Sequence, residues 1–116
     1  MHADRAYFRR LAARWGRFHR LNPRVWECFE EMTLDKIAAG QTKLSAWLVV
    51  NEIRWEVALP TVGSEFKISN EMMAYYSRLW RKLHPKHAAV FDIKHIRGEP
   101  PGWRPGDWIG GGNADL

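Results

Sequence analysis

Apolar residues recur at helical spacing in four separate stretches of this chain. Between Asp4 and Arg20, Tyr7, Phe8, Leu11, Trp15 and Phe18 follow one another at three- and four-residue steps, and arginine fills much of the remainder. The pattern predicts an amphipathic helix over 4–20, with Asp4 as its N-cap and Gly16 weakening its last turn. Asn22-Pro23 then reads as a cap followed by a proline at the first helical position, where a missing N–H costs nothing. The helix it opens, 24–39, has Val25, Phe29, Met32 and Ile37 inward with Cys28 beside them, Glu27, Glu30, Glu31 and Asp35 towards water, and Gly40 as a left-handed stop. A third helix, 45–58, starts at Ser45 and carries Ala46, Val49, Val50, Ile53 and Val57 on one side. Its β-branched content would suit a strand, but the apolar spacing is not two. Trp47 and Trp55 on its other side predict that this side too is covered, by another helix or by a partner. The fourth helix, 70–83, opens at Asn70 and turns Met72, Met73, Tyr76, Leu79, Trp80 and Leu83 inward, leaving Tyr75, Arg78, Arg81 and Lys82 on its outward arc.

Between and after these helices the pattern changes. Thr61 to Ser64 reads as a turn and Glu65 to Ile68 alternates as one short strand. His84-Pro85 ends the fourth helix, and 86–97 predicts a last turn followed by an extended run from Val90 to Ile96. From Gly98 onward, three prolines and six glycines leave no room for a regular element. That stretch is either a free tail or an extended arm docked through Trp103, Trp108 and Ile109. The expected fold is mainly α: one four-helix domain over 1–97, helix-turn-helix or winged-helix-like in its order of parts, with one or two short strands and an irregular tail over 98–116.

Length and composition narrow the class. A chain of 116 residues that is 46% hydrophobic suits one domain with its own core. No apolar run approaches the roughly 18 residues that would span a bilayer, MHADRAYFRR has no apolar signal core, and the lone Cys28 cannot form an internal disulfide. The expected setting is therefore cytoplasmic, without a membrane. The net charge of +5 is unevenly distributed: residues 1–24 carry seven arginines against Asp4, residues 25–60 are acidic by three charges, 61–98 are basic by four, and 99–116 are acidic by two. If the basic segments converge they would attract polyanions; the alternative is neutralisation by the acidic ones.

Three helices followed by an extended run are the order of parts in helix-turn-helix and winged-helix modules, whose last helix enters the major groove. On that reading Asn70, Tyr75 and Arg78 lie at the leading edge of the 70–83 helix, with Arg81 and Lys82 near its end to hold phosphates. Arg9, Arg10, Arg14 and Arg17 would form a phosphate-contacting arm. Trp103 and Trp108, beside Arg104, are candidates for stacking on unpaired bases. Against these stand the ordinary readings of a solvated basic face, a structural first helix and core tryptophans. Glu65-Phe66-Lys67 and Asp92-Ile93-Lys94 resemble fragments of a metal-dependent nuclease site but lack the upstream acid on a neighbouring strand. His84-x-x-His87 spans a proline and has a single thiol, Cys28, for company, so no metal site or cofactor is expected. No catalytic constellation stands out, and the chain reads as a non-enzyme.

The pieces FHRLNPRVWECFEEMTL, LSAWLVVNEIRWEV, FKISN, YYSRLW and HPKHAAVF, between Phe18 and Ile96, resemble small proteins of bacterial genomes and temperate phages that have no established activity. The resemblance implies a phage or prophage setting and a mostly helical domain, and carries no functional residues. Two functions of different class follow. One is a nucleic-acid-binding regulator whose partner is DNA. The other is a non-enzymatic inhibitor of a host protein or defence nucleoprotein complex, similar in kind to an anti-CRISPR.

Overall fold

A computed structural model describes residues 2–57, 70–93 and 95–105. Four helices, α1 (His2–Leu21), α2 (Pro23–Ala38), α3 (Ala46–Glu52) and α4 (Asn70–Leu83), account for most of it. A wider π-helical turn, Ile53–Val57, continues α3, and a 3₁₀ segment, Pro85–Val90, follows α4. The packing closes a ring: α1 lies against α2 and α4, and α3 lies against the same two from the other side. α1 and α3 therefore sit on one diagonal with their outer faces pointing in opposite directions.

The helix boundaries follow local chemistry. Asp4 is inside the first turn of α1 and not its cap, and its negative charge suits the positive end of the helix dipole. Asn22 does precede α2, but its side-chain amide donates back to the Phe18 carbonyl (3.0 Å) instead of capping forward. At the far end of α2, Gly40 adopts φ +97°, and the N–H groups of Gly40 and Gln41 donate to the carbonyls of Ile37 (2.9 Å) and Lys36 (3.0 Å). This pair of bonds is the Schellman closure that a left-handed glycine permits. Ser45 accepts from the Leu48 N–H (3.3 Å) and starts α3 as its spacing predicts. α3 is shorter than expected because the π turn takes over at Ile53.

The core joins Phe8, Leu11, Ala12 and Trp15 of α1 to Val25 and Phe29 of α2, Val49, Val50 and Ile53 around α3, and Met73, Tyr75, Tyr76, Leu79 and Trp80 of α4. Every residue from Tyr75 to Trp80 is buried. Over this stretch α4 is thus the central helix, enclosed all round and not half-exposed.

What encloses it is the chain beyond the 3₁₀ segment. The Trp80 indole N–H donates to the His87 carbonyl (3.0 Å), and the Leu44 N–H donates to the Val90 carbonyl (2.8 Å). The expected strand from Val90 to Ile96 is reduced to one parallel bridge, Leu44 to Phe91. Its partner among the described residues runs into the Ser45 cap. The other expected strand, 65–68, and the turn at 61–64 lie outside the described residues, and no strand occurs among those described. Residues 95–105 then cross α4 as a docked arm. Trp103 is 6% exposed and meets the rings of Phe8 (5.1 Å) and Tyr75 (5.6 Å) edge-on. Gly98, at φ +79°, passes so close to α1 that a Cβ there would stand 1.9 Å from the Asp4 carbonyl oxygen.

That approach can be tested by comparing two glycines. Gly98→Ala should cost about 3 kcal/mol or more, since both the conformation and the space exclude a methyl group. Gly40→Ala, where φ is also positive but the space is open, should cost about 1 kcal/mol. Urea denaturation of the two variants measures both, and equal costs would contradict the docked arm.

Candidate nucleic-acid interface

The arginines of α1 divide cleanly from its core stripe. Phe8, Leu11, Ala12 and Trp15 occupy one side, while Arg5, Arg9, Arg10, Arg14, Arg17 and Arg20 are all exposed across the other. At 100° per residue these six cover about half the helix circumference, over roughly 22 Å of length. Five of the described acids pair elsewhere. Asp4 faces Arg97 (3.5 Å), Glu52 holds Lys36 (3.0 Å), Asp92 holds Lys43 (3.0 Å), Glu30 meets His84 and Glu99 holds Arg78. Among the described residues, Arg10, Arg14 and Arg17 have no carboxylate at ion-pair distance. Next along, Arg24 is exposed and only 3.9 Å from Glu27, a loose solvent pair worth little.

The basic residues of α4 are placed differently from the sequence expectation. Arg78 is 5% exposed, and its Nε and Nη2 donate to the two carboxylate oxygens of Glu99, each at 2.6 Å, while Nη1 donates to the Ala74 carbonyl (3.0 Å). Burial alone would raise the Glu99 pKa. The hydrogen bonds and charge of Arg78, the Ile96 N–H and the charge of His95 outweigh it, leaving the carboxyl below its ordinary value. Tyr75 is fully buried, with its hydroxyl on the Phe8 carbonyl (3.3 Å). Lys82 is half-buried and donates to the Pro105 carbonyl (2.6 Å); Arg81 is exposed and reaches the Phe91 carbonyl (3.4 Å). The expectation that Tyr75 and Arg78 face outward to read bases is therefore corrected. The arm over 95–105 covers the arc they would have used, and Trp103 is committed to the core and cannot stack on a base. Trp108 lies outside the described residues, and Asn70 is described only as the first residue of α4.

Arg9, Arg10, Arg14 and Arg17 of the expected arm are exposed together on α1, and Arg5 and Arg20 extend the same surface. The partnership of Arg78 with Glu99 left no trace in the sequence, because 21 residues and a non-helical path separate them. Among the described residues, no cluster of three or more His, Cys, Asp or Glu is placed to hold a metal ion, and no helix is long and apolar enough to cross a membrane. No family model, curated protein or solved structure matches this chain.

One titratable group borders the arginine face. His19 stacks on Trp15 (5.2 Å, 10° between planes) and meets Trp26 and Tyr76 edge-on. Burial, with a smaller contribution from the Arg20 charge, lowers its pKa from 6.5 to about 4. His19 is therefore neutral at pH 7 and adds nothing to the cationic surface. Its folded value lies below its unfolded one, so the stability it contributes is complete above pH 6.5 and is lost as pH falls towards 4. The loss should be about 2 kcal/mol after allowance for its partial exposure. Denaturation midpoints between pH 7 and pH 4 should fall in the native chain and fall less in His19→Phe; parallel curves would contradict the assignment.

Proposed function

We propose that this protein binds nucleic acid through the outward face of α1, as a regulator in the phage or prophage setting that its sequence resemblance implies. The supporting observation is that Arg10, Arg14 and Arg17, exposed on one face of α1, have no carboxylate at ion-pair distance among the described residues. Guanidinium groups pair bidentately with phosphate, and each phosphate neutralised releases counterions. A helix of this kind grips the backbone through charge, so affinity should be broad in sequence and steep in salt. In a winged-helix arrangement α4 would supply the base-reading side chains; with Tyr75 and Arg78 inward, the binding proposed here does not run through α4.

A second reading draws on the same observation. A face that presents charge without a base-reading helix also suits an acidic protein surface, as in a non-enzymatic inhibitor of a host protein or defence nucleoprotein complex. Co-purification with a host protein that persists after nuclease treatment would favour it.

Fluorescence anisotropy with a labelled DNA duplex tests the first reading. Replacing Arg10, Arg14 and Arg17 together by alanine should weaken binding about 100-fold and reduce the salt slope by about 3, with far-UV circular dichroism unchanged. Arg81→Ala should have a small effect. Retained affinity in the triple variant would overturn the proposal.

A further inference from the structure

α3 presents a second surface on the diagonal opposite the arginines. Trp47, Leu48 and Trp55 are 47%, 55% and 75% exposed, although most large apolar side chains of this protein are buried. Beside Trp47 lies a groove of about 540 Å³ between the start of α3 and α4, lined by Leu44, Ala46, Trp47, Met73 and Ala74, with Ser45, Ser77, Arg78 and Asp92 at its polar edge. Trp55 stands two helical turns further along, on the π turn. The same face thus carries a projecting indole at one end and an apolar recess at the other.

We infer that this face pairs with the same face of a second copy of the chain. A two-fold interface requires one surface to be complementary to itself, and a projection and a recess at opposite ends of one helix meet that requirement. Two α3 helices running antiparallel, with the axis passing near Leu48, place Trp55 of each copy over the groove of the other. Charge agrees with the choice. The rim is self-neutralised by Lys36–Glu52 and Lys43–Asp92, each at 3.0 Å, so the faces meet without repulsion. Association through α1 would instead oppose two rows of arginine. The exposed fractions of Trp47, Leu48 and Trp55 amount to about 400 Å² of apolar surface. This is about half of the ~800 Å² per partner of a standard interface, and sets the pair as a weak, concentration-dependent one. The arginine faces then point away from the two-fold on both copies. The pairing does not rest on the nucleic-acid reading.

Sedimentation velocity from low micromolar concentration to about 200 μM reads the association directly. The native chain should pass from monomer to dimer and no further. Leu48→Arg and Trp55→Lys, both at exposed positions, should each weaken dimerisation at least tenfold while circular dichroism and the melting temperature at low concentration stay unchanged. A chain that remains monomeric throughout, or variants that associate as the native one does, would overturn the inference.

Discussion

The bidentate contact between the Arg78 guanidinium and the Glu99 carboxylate determines where the rest of the chain can be. It anchors the 95–105 arm across α4, on a helix whose other sides are already occupied by α1 and α3. Around it the arm is fixed by weaker contacts. Arg97 lies over the Tyr7 ring (3.8 Å) and near Asp4, Gly98 presses on the α1 backbone, Trp103 fills the space between Phe8 and Tyr75, and Lys82 holds the Pro105 carbonyl. A buried ion pair is costly to desolvate and becomes worthwhile only when its hydrogen bonds are complete. Here both carboxylate oxygens are used, and the guanidinium also satisfies a helix carbonyl.

The contact also decides how charge is distributed. Of the basic residues of α4, Arg78 is drawn inward to Glu99 and Lys82 to the arm, while Arg81 stays exposed beside Phe91. The arginines of α1 remain outside because the ring of helices uses only one side of that helix. Six exposed arginines thus share one face of α1, and the opposite diagonal carries exposed apolar surface. The core holds these two surfaces of contrasting chemistry apart.

Much of the helical framework was legible in the sequence because it depends on neighbours in the chain. The Ser45 cap, the Gly40 stop, the bounds of α4 and the break at His84-Pro85 all depend on side chains within a few residues. The same logic separated arginine from the core stripe in α1. It failed where distant segments compete for one face. Tyr75 and Arg78 follow the spacing of an outward arc, and only the arrival of Glu99 and Trp103 from the arm makes that arc interior. The arm itself offers no periodicity, since prolines and glycines define its path and a single carboxylate defines its destination. Trp47 and Trp55 showed from spacing alone that a second side of the helix is apolar, while spacing cannot say what meets it.

The account rests on Arg78 being a structural cation, and a double-mutant cycle tests this most directly. Urea stability of the native chain, Arg78→Met, Glu99→Gln and the double variant should give a coupling free energy of about 2–3 kcal/mol, with each single change costing more than its share of the double. Additive costs within about 0.5 kcal/mol would mean that the two side chains do not hold one another. Arg78 would then be free to act at the surface, and the arm would need another anchor.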